Sequence, residues 1–238
     1  MSTYSISSDD LLIDDVAHIL KSNFKIKLDD NVTKKIVKCR SYLDNKLTNS
    51  SNVYYGINTG FGSLCNRIIS SDDLGQLQKN LVMSHACGMG DEVGHDVVKL
   101  MLLLKIKGLS LGHSGVTLEL VERLIFMYNN NIFPVIYKQG SLGASGDLAP
   151  LAHLALPLIG EGYVDYNGQR LKSADLLKQL NLKPLNLQAK EGLALLNGTQ
   201  FMSAHAVDGL IRTANILQWA DTIGAMSIDA FQVNKSPF

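Results

Sequence analysis

The stretch GSLGASGDLAPLAHLALPLIGEG, residues 140–162, decides how the rest of the chain is read. Glycines punctuate it, and Ala144-Ser145-Gly146 lies between Gly143 and Asp147, just ahead of a Pro150-led run that reads as a buried helix. If the backbone folds tightly there, the Gly146 nitrogen reaches the Ala144 carbonyl carbon and closes a five-membered ring. Glycine is required because a side chain would obstruct both the nitrogen's approach and the dihedrals. Ser145 carries a hydroxyl on Cβ, and its loss as water leaves an exocyclic methylidene, an electrophile that none of the twenty side chains offers. Such compression costs free energy and must be imposed by the surroundings. Gly140 and Gly143 let the chain bend, and the N-terminus of the following helix directs its positive dipole toward the ring oxygen. Spacing alone supports a plainer reading more strongly: a glycine-rich loop, with Asp147 and Pro150 as an ordinary helix start. A phosphate cradle is a third reading, disfavoured because GSLGASGD lacks the P-loop lysine and does not match GxGxxG after a strand.

The 238 residues fit one large domain or two small ones and can bury about two-thirds to three-quarters of the unfolded surface. Lys plus Arg equals Asp plus Glu, 22 of each. Neutrality without a basic run argues against a nucleic-acid partner. Lys34, Lys35, Lys38 and Arg40 fall at helical spacing and read as a solvated face. Cys39, Cys65 and Cys87 are odd in number and share no CxxC spacing, which disfavours a disulfide framework or a zinc site. His18, His95, His113 and His205 show no coherent ligand spacing, so no metal is expected. The polar N-terminus MSTYSISSDD is unlike a signal peptide, and Lys99, Lys105 and Lys107 interrupt the apolar stretch Val97–Leu111 too often for a membrane span. A cytoplasmic protein without membrane attachment is the expectation.

Helical periodicity dominates the pattern. Val16, Ile19 and Leu20 form a short amphipathic segment. Asp29 or Asp30 caps a second, marked by Val32, Ile36 and Leu43. Leu74, Leu77, Leu81 and His85 recur at helical steps, with Gly88 and Gly90 as stop signals. Val97–Gly108 is apolar all round and therefore buried, and Val116–Tyr128 carries a Leu120, Leu124, Met127 stripe. YYGINTGFGS, residues 54–63, is a loop. Asn167-Gly168 between short extended runs predicts a β-hairpin at 163–171. Ser173–Leu180 and Ala189–Leu196 read as helices, and Phe201–Ile228 is long, apolar and poorly charged. The expected class is mainly α with one small β excursion.

Taken as a whole, residues 140–162 resemble the signature of the aromatic amino-acid ammonia-lyases, the histidine-specific members above all. YGINTGFG (55–62), NLVMSHACGMG (80–90), GHSGVTLELVERL (112–124) and KEGLALLNGTQ (190–200) match the same family in the expected order, so the resemblance covers nearly the full chain. Cys87, where alanine is usual, and Tyr137, where proline often precedes the Gly-Ser, are small departures. The resemblance implies that Ala144-Ser145-Gly146 becomes 4-methylidene-imidazol-5-one (MIO), with Asp147 aiding cyclisation or loop geometry. It makes Tyr55 the base that removes the substrate's β-proton, although a tyrosine ordinarily titrates near ~10 and its phenolate must then be stabilised. Read without it, Tyr55 is a loop-anchoring aromatic, and Gly56, Gly60 and Gly62 are turn residues; Gly60 supports the loop in either case. It places His85 on the substrate's ring, Ser84-His85 favouring histidine over phenylalanine while remaining compatible with tyrosine. By itself, a histidine on the apolar side of a helix is a packed core residue, as His153 is expected to be. It also places Asn197 at the substrate and MIO. The implied reaction is elimination of ammonia from L-histidine to give trans-urocanate. Alternatives are a tyrosine ammonia-lyase or an aromatic aminomutase with the same cofactor, or a non-catalytic helical fragment. The implied organisation is an N-terminal globular domain at 1–112 carrying the Tyr loop. A central helical domain begins at 113–238, and family members continue well beyond the final NKSPF with an arginine for the substrate carboxylate. The family forms homotetramers in which the Tyr loop reaches a neighbouring subunit's MIO.

Overall fold

The computed structural model describes residues 2–49, 52–60, 69–70, 73–142, 146–234 and 236. At the N-terminus, β1 (Thr3–Ile6) and β2 (Lys25–Leu28) pair in parallel across α1 (Ile13–Lys21), with Thr3 opposite Lys25 and Ile6 opposite Leu28. Val16 and Ile19 are the buried side of α1. The Asp29 carboxylate accepts the Asn31 amide at 2.8 Å and starts α2 (Asp30–Thr48), which buries Val32, Ile36 and Leu43 as their spacing predicts.

Next come α3 (Leu74–His85) and β3 (Met89–Glu92). The helix ends at His85, ahead of the glycines that mark its stop in the sequence, because the following segment is captured elsewhere. The Gly88 amide donates to His153, and β3 pairs antiparallel with β5 (Tyr137–Gln139). α4 (His95–Ser110) is the centre of the core, burying Val97, Val98, Leu100 through Leu103, Ile106 and Leu109. It packs on α2 and on α5 (Leu118–Asn129), whose first turn is capped by the Thr117 hydroxyl accepting the Leu120 amide.

β4 (Phe133–Pro134) pairs with β6 (Tyr163–Tyr166), which continues through a tight turn into β7 (Gln169–Lys172). Asn167 (φ 50°) and Gly168 (φ 76°) both take the left-handed conformation that this turn demands, as the Asn-Gly pair predicts. Between β5 and β6 lie α6 (Leu148–Ala155) and a 3-10 turn at Leu156–Ile159. α7 (Ser173–Gln179) and α8 (Glu191–Leu196) follow, and α9 (Gln200–Ala230) closes the chain.

The mainly α reading holds, but the β content exceeds the single expected hairpin. The additional strands span two to four residues, as in β4 and β1, too short to establish an alternating pattern. α9 packs its first half on α4 and reaches α1, yet Ala204 is its only buried residue. Ile216, Leu217, Trp219, Ile223 and Met226 are all more than half exposed, Trp219 by 65%. Among the described residues, no helix is long and apolar enough to cross a membrane.

Candidate active site

Gly146 (φ +133°) forms an isolated parallel bridge with Gly198 (φ +138°), and the Asp147 amide donates to the Gly198 carbonyl at 3.0 Å. A Cβ added to Gly146 would sit 2.1 Å from the Gly198 oxygen, far inside contact distance and against backbone that cannot rotate away. Only glycine fits at 146, by conformation and by space. Ala144 and Ser145 lie outside the described residues.

Asp147 is the N-cap residue of α6, but its side chain makes no capping bond there. Its buried Oδ2 accepts the Met202 amide at 3.0 Å, placing a carboxylate at the first turn of α9. There it satisfies an unpaired helix amide and opposes the positive end of the dipole. The expected Pro150-led helix in fact begins at Leu148, and Pro150 sits inside its buried first turn. Asp147 thus ties the loop at 146–148 to α9, 55 residues downstream in the Asp147–Met202 pair.

The carbonyl side of the bridge is held from α4 and α8. Lys105 is 1% exposed, and its Nζ donates to Ala194 O at 3.1 Å and Asn197 O at 2.9 Å. Burial pulls its pKa down to about 7, while the nearby Asp147 carboxylate works in the opposite direction. At the other end of α8, the buried Glu191 accepts the Thr117 amide at 2.8 Å, the Thr117 hydroxyl at 2.7 Å and the Gln188 amide at 2.7 Å. The Asn197 side-chain amide donates to Leu193 O at 3.1 Å, while the Asn197 backbone carbonyl accepts from Lys105.

His85 is the last residue of α3. Its Nδ1 lies 2.9 Å from Leu81 O and 3.2 Å from Ser84 Oγ. A carbonyl can only accept, so Nδ1 carries the proton in that bond. His153 accepts the Gly88 amide on Nε2 at 3.0 Å and meets Tyr137 edge-on, which fixes the segment after His85 against α6. Burial lowers the His153 pKa, in keeping with this neutral acceptor role. His153 is therefore packed in its helix as expected, with a backbone bond as its purpose.

Tyr55 stands on a separate, internally bonded loop. The Tyr54 amide donates to Asn58 Oδ1 at 2.6 Å, and the Gly56 amide donates to the Thr59 hydroxyl at 3.0 Å. That hydroxyl donates to the buried Gly60 carbonyl at 2.9 Å. The Lys46 ammonium sits 5.2 Å from the centroid of the Tyr54 ring, so Tyr54 anchors the loop to α2. Tyr55 is presented outward, 60% exposed.

The bonded cluster therefore unites Gly146, Asp147 and Asn197. α3, which ends at His85, packs on α6 and α8, and Tyr55 is carried by the loop over α2. Sequence reasoning passed over three members: Gly198, Glu191 and Lys105. Lys105 was visible only as an interruption of an apolar helix. The usable signal was its place inside Leu102-Leu103-Leu104-Lys105-Ile106, where an ammonium must find buried acceptors.

The family model for aromatic amino acid lyases matches residues 11–238. Over 223 residues the chain is 47% identical to the histidine ammonia-lyase of Legionella pneumophila strain Corby, covering 94% of this chain and 44% of that protein. The crystal structure of histidine ammonia-lyase from Trypanosoma cruzi superposes with a TM-score of 0.87 at 35% identity, over 99% of this chain and 45% of that one. Tyrosine aminomutase from Streptomyces globisporus superposes with a TM-score of 0.87 at 31% identity, over 96% of this chain and 43% of that one. The chain spans less than half the length of each of these relatives.

Proposed function

The chain belongs to the aromatic amino acid lyase family, and we propose that it carries part of the active site of an enzyme that eliminates ammonia from L-histidine to give trans-urocanate. The observation that carries the proposal is the Gly146–Gly198 contact: a glycine-only backbone, wedged against a carbonyl and tied through Asp147 to α9, at the third position of Ala-Ser-Gly. A glycine held this tightly, with serine directly before it in the sequence, supports the reading, and the residues present fit an MIO built from Ala144-Ser145-Gly146. When formed, that group supplies the electrophile that engages the substrate's amine.

The remaining roles belong to side chains. Tyr55 takes the β-proton at Oη as the Cβ–H and Cα–N bonds break, the Cα=Cβ double bond forms and ammonia leaves. His85, with its Nε2 lone pair, accepts a hydrogen bond from the N–H of the substrate's imidazole, which an apolar ring cannot donate. Asn197 offers its amide beside the Gly146 cradle. The outward set of Tyr55 supports an assembly in which this loop completes a neighbouring subunit's site, and the exposed apolar side of α9 supports a homotetramer formed with further helices. A cytoplasmic location accompanies this reading.

Histidine is preferred to tyrosine because identity is higher to the histidine ammonia-lyase, 47% against 31% for the aminomutase. The test is to extend this chain with the C-terminal remainder of the Legionella relative and supply L-histidine and L-tyrosine separately. Urocanate absorbance rising only with histidine supports the proposal. Conversion of L-tyrosine to β-tyrosine, with no urocanate, would establish the aminomutase alternative instead.

A further inference from the structure

Lys105 occupies a position that folding alone does not favour. An ammonium in the centre of an apolar helix loses its hydration, a cost recovered only through strong, well-placed acceptors. Its acceptors are the carbonyls of Ala194 and Asn197, at the C-terminal end of α8, where helix carbonyls lack partners within the helix. Asn197 is followed directly by Gly198, whose own carbonyl receives the Asp147 amide and fills the space where a Gly146 Cβ would be. The other end of α8 is pinned by Glu191 to Thr117, so the Lys105 amine holds the end that faces the glycines.

We infer that Lys105 is a positioning residue for ring closure: through the Ala194 and Asn197 carbonyls it fixes Gly198, and Gly198 fixes the Gly146–Asp147 backbone whose nitrogen closes the ring. The inference rests on the reading of Ala144-Ser145-Gly146 given above. Closure forms the bond from Gly146 N to the Ala144 carbonyl carbon. The Ala144 oxygen leaves as water with the amide protons of Gly146 and Ser145. The Ser145 hydroxyl leaves as a second water with the Ser145 Cα proton. No oxidant or further reactant enters, so backbone placement is what the protein must supply. Lys105 touches neither ring atoms nor substrate and acts through the backbone of 194–198.

The test compares this chain with its Lys105→Met and Lys105→Arg variants by amide hydrogen exchange and by intact mass. In Lys105→Met the Asp147 amide should exchange about tenfold faster or more, the scale of losing the hydrogen bonds that Lys105 donates. Amides of α2 and α5 should keep their protection, and the share of chains lacking two waters should fall. Lys105→Arg, which keeps N–H donors at this position, should recover both readouts in part. Unchanged Asp147 exchange in Lys105→Met would overturn the inference. So would protection lost equally across α2 and α5, which would make Lys105 a general core residue, and so would an undiminished share of dehydrated chains. If the unchanged chain itself keeps both waters, the ring reading fails together with the role in closure. The clamp on Gly198 is then judged by the exchange data alone, so the two failures are distinguishable.

Discussion

Replacing Gly146 with alanine tests the cradle at its tightest point. The added Cβ would meet the Gly198 oxygen at 2.1 Å, so the two backbones must separate by more than an ångström. That movement breaks the Asp147–Gly198 hydrogen bond, whose length is 3.0 Å. Overpacking costs about 1–3 kcal/mol. Holding a non-glycine residue near φ +133° adds about 1–3 kcal/mol, and the lost hydrogen bond adds about 0.5–1.5 kcal/mol. These terms overlap, since relaxing the clash also relieves the strain, so a net loss of about 2–5 kcal/mol is expected. Urea titration of the chain and of Gly146→Ala, followed by far-UV circular dichroism, reads it as a fall in midpoint at constant slope. Intact mass on the same samples should show no dehydrated Gly146→Ala chains. A stability loss below about 1 kcal/mol, no more than the average substitution produces, would refute the close backbone contact.

Three further outcomes follow from the same geometry. In the extended form, Tyr55→Phe should keep the dehydrated mass but lose about 10²–10⁴-fold in kcat, the contribution of a positioned base; activity within a few-fold of the unchanged enzyme would remove Tyr55 from that role. His85→Leu should lower kcat/KM for histidine and raise it for phenylalanine, because a hydrogen-bond acceptor is replaced by an apolar group; unchanged values for both would leave His85 a packing residue. The chain by itself should self-associate through the exposed side of α9, and Ile216→Glu with Ile223→Glu should shift sedimentation toward the monomer; a native chain that is already monomeric at high concentration would contradict this.

Much of the fold was legible because its helices are long enough to show their period. The buried residues of α2 and α5 fall where apolar spacing puts them, and Asn167-Gly168 specifies its turn through two adjacent left-handed residues. The end of α3 was not legible. Gly88 and Gly90 are good local stop signals, but the helix yields earlier to a hydrogen bond with His153 and a strand pairing with residues 137–139, both remote in sequence. The site divides the same way. Glycine at 146 follows from local chemistry. Asp147 capping α9 and Lys105 holding α8 depend on elements brought together only by folding. Spacing alone left residues 143–147 as an ordinary loop, and the ring reading needed the family motifs around it.

The most direct measurement is the intact mass of this chain beside that of Ser145→Ala. The unchanged chain should be lighter than its sequence by two waters. The variant, with no hydroxyl to eliminate, should not show that loss. Equal masses relative to sequence, whether both dehydrated alike or both complete, would contradict the conversion of Ala144-Ser145-Gly146 into the electrophile.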